Sequence, residues 1–180
     1  MDFNKRKFAE LVLYISERTM DDPDFGTTKM AKALWLADFS SVQRWGRPMT
    51  GATYQKLQHG PAAREYKPVV DDLIAGGDAA EASQEIFNHP SKRLVALRPA
   101  NKDLLHQDEL SLVDSILDYC RKHTASELSE LSHRFIGWKL ADYREAIPYG
   151  MVLIPEEPLP LTDSEIDYGR RLADRLDGDS

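Results

Sequence analysis

The chain has 180 residues, 42% hydrophobic and 29% charged, the size and balance of one ordinary globular domain. No apolar run approaches the ~20 residues needed to cross a bilayer, and Met1–Lys7 leads into a mixed polar helix, not the apolar stretch of a signal peptide. A net charge of −7 argues against general nucleic-acid binding, and one cysteine, Cys120, excludes an internal disulfide or a thiolate metal cluster, so a cytoplasmic protein is expected.

Phe8, Leu11, Val12 and Ile15 recur at i, i+3, i+4 and i+7, which predicts a helix from about Asn4 to Thr19. Asp21-Asp22-Pro23-Asp24 ends it. A second helix starts near Thr27 or Thr28, whose hydroxyl can cap its free N–H groups. It carries Met30, Ala33, Leu34 and Ala37, with Trp35 and Leu36 on further faces, so it reads as the buried centre of the domain. Residues 46–61, with three Gly and two Pro, read as an ordered, mostly irregular connection. Tyr66, Val69, Val70 and Leu73 mark a third helix, with Pro68 tolerable in its first turn and Gly76-Gly77 closing it.

Gln84–Asn88 and Lys92–Arg98, joined at His89-Pro90, read as a β-hairpin, with Leu94 and Ala96 on one side and Val95 and Leu97 on the other. From Asp108 a helix returns, with Leu110, Val113, Leu117 and Cys120 on one stripe. Thr124-Ala125-Ser126-Glu127 is a capping box opening the next helix. A second, Thr162-Asp163-Ser164-Glu165, precedes a last helix with Ile166, Gly169, Ala173 and Leu176, set apart by Pro155, Pro158 and Pro160. The expected fold is mainly α (α+β): a single helical domain over residues 1–154, containing a small antiparallel hairpin, and a proline-tethered acidic helix over 155–180. Charge is distributed along the same division, from +2 over residues 1–60 to −5 over the last 26.

Catalytic and cofactor motifs are missing. The histidines His59, His89, His106, His123 and His133 show no metal-ligand spacing, and there is no phosphate-binding Gly loop or nucleophile elbow. Cys120 and His123 stand one helical turn apart, but Cys120 completes an apolar stripe, where a thiol is inert. The Asp21–Asp24 cluster lacks the Gly and Glu of a calcium loop. Trp45, Arg47, Tyr54, Lys56 and His59 interleave aromatic and basic types. Such residues can stack on nucleic acid, anchor a protein partner, or simply pack a loop.

Three segments occur in order. They are Thr28-Lys29-Met30-Ala31-Lys32-Ala33-Leu34-Trp35-Leu36-Ala37-Asp38; Trp45-Gly46-Arg47-Pro48-Met49-Thr50-Gly51-Ala52-Thr53-Tyr54, continuing to His59-Gly60-Pro61; and Glu127–His133 with Gly137-Trp138 and Ile147-Pro148-Tyr149. Together, over about residues 5–150, they resemble the Panacea domain family, the SocA-like antitoxin domain also found in phage-associated proteins. The resemblance implies a mostly helical domain with a small β element, found in bacterial and phage toxin–antitoxin pairs, that neutralises a cognate toxin by direct binding. It implies no catalytic residues and no cofactor, and leaves homo-oligomerisation open.

The family's motif falls on Asp38, Gly46, Arg47, Pro48, Thr50, Gly51, Tyr54, Gly60, Pro61, Leu131, Ser132, His133 and Trp138. Candidate partner-binding residues are Asp38, Trp45, Arg47, Thr50, Tyr54, His59, His133 and Trp138. Each also has an architectural reading: Gly46 and Gly51 can take positive φ around Pro48, and His133 can bridge to the Gly/Pro loop with Trp138 behind it. Ala62-Ala63 depart from the larger apolar residues common in relatives. Two rival readings are a small hydrolase using His59, His133 and Asp38, and a DNA-binding autoregulator using the early helices.

Overall fold

Asn4 caps helix α1 (Lys5–Arg18) by accepting the Lys7 N–H on Oδ1 at 3.0 Å, and the predicted stripe Phe8, Leu11, Val12 and Ile15 is fully buried. The computed structural model describes residues 2–86 and 89–155. Helix α2 (Thr27–Trp45) is the central element, packed against α1, against both β-hairpins and against two of the later helices. Its N-cap is Gly26, not a threonine, so no side chain caps it, and the hydroxyl of Thr27, the first helical residue, donates to the Lys92 carbonyl at 2.9 Å. Met30, Ala33, Leu34, Trp35, Ala37, Phe39 and Val42 are all buried, and so are the charged Lys29, Lys32 and Asp38.

The connection after α2 contains more order than its composition suggests. Gly46 and Gly51 do take positive φ, +70° and +75°. Beyond them, Tyr54–Leu57 (β1) and Gly60–Ala63 (β2) pair antiparallel, so the reading of 46–61 as mostly irregular is corrected. Gly60-Pro61-Ala62-Ala63 has no β-branched or aromatic residue and gives no local strand signal. The pairing is imposed from outside. The segment 144–147 runs along the free edge of β1, with Lys56 N–H donating to Glu145 O at 3.1 Å and Ile147 N–H to Tyr54 O at 2.8 Å.

Helix α3 (Tyr66–Ala75) places Pro68 in its first turn, where a missing N–H costs nothing, and leaves through Gly76 and Gly77 as expected. The second hairpin is β3 (Ala79–Ile86) with β4 (His89–Ala96). It is longer than predicted, and His89-Pro90 open β4 instead of forming the turn. Leu94 faces the core and Leu97, just past the strand, faces solvent, as the alternation requires.

Helix α4 (Gln107–Arg121) buries Leu110, Val113, Ile116, Leu117 and Cys120. Thr124 and Glu127 form the predicted capping box at the start of α5 (Ala125–Arg134), with Thr124 N–H on Glu127 Oε2 at 2.7 Å and Glu127 N–H on Thr124 Oγ1 at 3.2 Å. A short α6 (Ile136–Leu140) and a 3₁₀ turn (Tyr149–Leu153), neither foreseen, complete the described chain. The fold is mainly α with two small antiparallel hairpins. The predicted last helix and its capping box lie outside the described residues. No helix among those described is long and apolar enough to cross a membrane.

Candidate functional site

Asp38, Thr50, Tyr54, Gly60, Ser132, His133 and Trp138 of the motif converge on the β1–β2 hairpin and the loop before it. Asp38, in the middle of α2, is 0% exposed. Its Oδ1 accepts the Thr50 N–H at 2.6 Å and its Oδ2 the Thr50 hydroxyl at 2.6 Å. The Tyr54 hydroxyl lies 3.0 Å from Oδ2 and 2.7 Å from the Leu34 carbonyl. No cation among the described residues pairs with this carboxylate. Burial raises its pKa, opposed by the hydrogen bonds from Thr50 and Tyr54. Burial and the neighbouring Asp38 in turn push the Tyr54 phenol well above its ordinary value. Phe39, Tyr54, Phe135 and Tyr149 close over this network, their ring centroids 4.8 to 6.1 Å apart.

The outer side of the hairpin is clasped by α5 and α6. His133 Nε2 lies 3.1 Å from the Gln58 carbonyl, which can only accept, so the ring nitrogen is the donor. The His133 ring stacks on Trp138 at 4.1 Å, and the Trp138 indole N–H donates to the Leu57 carbonyl at 3.0 Å. Lys56 sits over Trp138 at 4.6 Å and donates to the Ala141 carbonyl at 2.9 Å. The expected bridge from His133 to the Gly/Pro loop, with Trp138 beside it, is therefore formed.

The proposed hydrolase trio does not assemble. Asp38 is bonded to Thr50 and Tyr54 inside the core, His133 to the hairpin carbonyl, and His59 presents its backbone, not its ring, to the interior. Nor do the interleaved aromatic and basic residues form one stacking surface. Tyr54 is buried and Lys56 lies against Trp138, whereas Trp45 is 39% exposed at the end of α2 and Arg47 is exposed in the turn after it. The Arg47 carbonyl accepts the Ser41 hydroxyl at 2.8 Å. Burial pushes the Cys120 thiol up to about 12, far from the range of a reactive thiolate. Among the described residues no group of three or more His, Cys, Asp or Glu could hold a metal ion.

Sequence reasoning missed Lys32. It lies on the same helix as Asp38, is 2% exposed, and donates to the His59 carbonyl at the hairpin turn. Gly60 makes this approach possible. Its φ is +110°, and a Cβ built there would stand 2.1 Å from Lys32 Nζ and 2.1 Å from Ser132 Oγ. Hairpin, α2 and α5 thus meet at one glycine. The available signal was a lysine on a helix that is apolar on most sides, where no polar face remains to receive it.

A family model for the antitoxin SocA-like, Panacea domain matches residues 30–139, well over half of the chain. This chain belongs to the Panacea domain family. The matched stretch runs from Met30 in α2 to Lys139 in α6, and so contains the Asp38 network, both strands of the clasped hairpin and the His133–Trp138 stack. In this Panacea domain the motif residues thus build the junction of helix, hairpin and helix. Neither the curated proteins nor the solved structures contain a match to it.

Proposed function

We propose that this Panacea domain is a non-enzymatic antitoxin that neutralises a cognate toxin by direct protein–protein binding in the bacterial cytoplasm. The family match over residues 30–139 carries the reading. It is supported by the chemistry of Asp38, Thr50, Tyr54, His133 and Trp138 in the motif, whose polar groups are engaged in hydrogen bonds that fix a scaffold. Exposed side chains of the types that dominate protein interfaces lie around that scaffold, including Trp45 and Arg47 after α2 and Tyr143 beside the hairpin. Within this reading residues 1–154 form the shared module, and the acidic extension 155–180, carrying −5, steers a basic partner surface toward it.

The test is co-expression with the product of the adjacent reading frame. Growth arrest by that product alone, relieved when the two are expressed together, is the expected outcome. Arrest that persists at equal expression refutes the reading.

A further inference from the structure

Among the described residues the charged end of Lys32 has no anion. The ammonium has three N–H donors, and its only hydrogen-bond partner among the described residues is the neutral His59 carbonyl. No carboxylate among the described residues forms an ion pair with it. Burying a charge without a counter-charge is costly, and the ordinary remedies are a paired acid or an apolar replacement. Lys32 has neither. The other buried lysine of α2, Lys29, illustrates the ordinary remedy, with Asp22 at 3.7 Å.

Lys32 also lines a groove of about 440 Å³ between the first turns of α2, the β1–β2 hairpin and the start of α3, a volume in the range of small-molecule sites. The charged residues around it are Lys32, Arg64 and Lys67, and no Asp or Glu among the described residues lines it, in a chain whose net charge is −7. Arg64 is held by neutral acceptors, Gln55 Oε1 at 3.2 Å and the Arg144 carbonyl at 2.8 Å. Lys67 is paired with Asp71 outside the groove lining. The rest of the wall is largely apolar, with Leu34, Leu57, Tyr66 and Tyr143. The methyl-sized Ala62 and Ala63 leave volume there that a larger residue would fill.

We propose that this groove is a binding site for a small organic monocarboxylate with an unbranched apolar tail, its carboxylate paired with Lys32 and its tail lying along the Leu34, Leu57 and Tyr66 wall. A single buried cation calls for a single negative charge. Because Lys32 is so nearly enclosed, that charge has to arrive on a slender stem. The site does not rest on the partner-binding role, and of the exposed interface side chains Trp45, Arg47 and Tyr143 only Tyr143 also lines the groove.

The probe is octanoate, titrated calorimetrically into the full chain at pH 7, beside octanamide as its neutral counterpart and butanoate as its short one. Octanoate is expected to bind at least tenfold more tightly than octanamide. Each methylene removed toward butanoate should cost about fourfold. Lys32→Met should weaken octanoate about tenfold to a hundredfold, the worth of a charge-assisted hydrogen bond. Ala62→Leu keeps the ammonium but fills the groove, and should weaken octanoate as well.

Burial also lowers the Lys32 pKa to about 8, so octanoate affinity should fall about tenfold per pH unit above that value. The other titratable groups lining the groove are His59, Arg64, Tyr66, Lys67 and Tyr143, of which Tyr66 is pushed up to about 12 by burial. The proposal is overturned by failure of octanoate to bind, by equal affinity for octanamide, or by undiminished binding to Lys32→Met or Ala62→Leu. Butanoate binding as tightly as octanoate, the pattern of a short acidic side chain from a protein, also overturns it.

Discussion

Replacing Lys32 by methionine should stabilise this protein at neutral pH and destabilise it at alkaline pH. The native lysine loses its proton at about 8 because burial disfavours the ammonium, whereas an unfolded chain holds that proton to about 10.5. Between these values the unfolded state binds more protons, so raising the pH favours the native state. At 1.36 kcal/mol per pH unit the interval is worth about 3 kcal/mol, the cost of keeping the buried group charged at pH 7. Methionine has a similar length and no charge. It forfeits the hydrogen bond to the His59 carbonyl, worth about 1 kcal/mol.

Lys32→Met should therefore be about 2 kcal/mol more stable than the parent at pH 7 and about 1 kcal/mol less stable near pH 10.5. Urea denaturation of both proteins at half-unit steps between pH 7 and 10.5 measures the difference. Because only the difference matters, other groups titrating in that range cancel. A gap that keeps its sign and size across the range would refute the account of Lys32 as a buried, unpaired ammonium.

The same geometry sets three further outcomes. Asp38→Asn turns one acceptor oxygen into a donor facing Thr50 or Tyr54, and should cost about 2–4 kcal/mol in urea denaturation. Gly60→Ala meets Lys32 Nζ and Ser132 Oγ at a positive φ. It should cost about 3 kcal/mol or more and expose the hairpin amides to hydrogen exchange, while Gly77→Ala, which meets no atom within 4 Å, should cost less.

Glu10 receives both Arg98 amino groups at 2.8 and 2.9 Å and the Asn101 N–H at 2.7 Å, which together hold its pKa below the ordinary 4.5. Its stabilising contribution is present above the unfolded pKa and is lost as pH falls through the native one. Glu10→Gln should thus lose about 1–3 kcal/mol at pH 7 and progressively less as the pH is lowered below 4.5, read from thermal melts at a series of pH values.

Legibility in the sequence divides by the range of the forces involved. Helix α1, helix α4 and the Thr124–Glu127 box were legible because the signals act within one or two turns: a stripe of Phe8, Leu11, Val12 and Ile15, a hydroxyl and a carboxylate three residues apart. The β1–β2 hairpin was not. Its second strand is Gly-Pro-Ala-Ala, and it exists because residues 144–147, distant in sequence, supply the outer edge of β1 while His133 and Trp138 hold its carbonyls.

The site shows the same split. Gly46 and Gly51 could be assigned positive φ from their place around Pro48, and His133 its bridge to the loop. Asp38 and Thr50 could be named as motif residues, but their mutual hydrogen bonds join the middle of α2 to a loop twelve residues on. For Lys32 the sequence offered only a lysine on a mostly apolar helix; its partner needed the tertiary structure, since its burial is completed where the His59 turn and Ser132 close over α2.

Co-purification of this Panacea domain with a tagged product of the adjacent reading frame tests the antitoxin reading most directly. A complex that survives size-exclusion chromatography and weakens when Trp45 and Arg47 are replaced by alanine, with folding unchanged by circular dichroism, is the predicted result. Two proteins that elute separately when both are folded, at concentrations that reproduce growth rescue, would contradict neutralisation by direct binding.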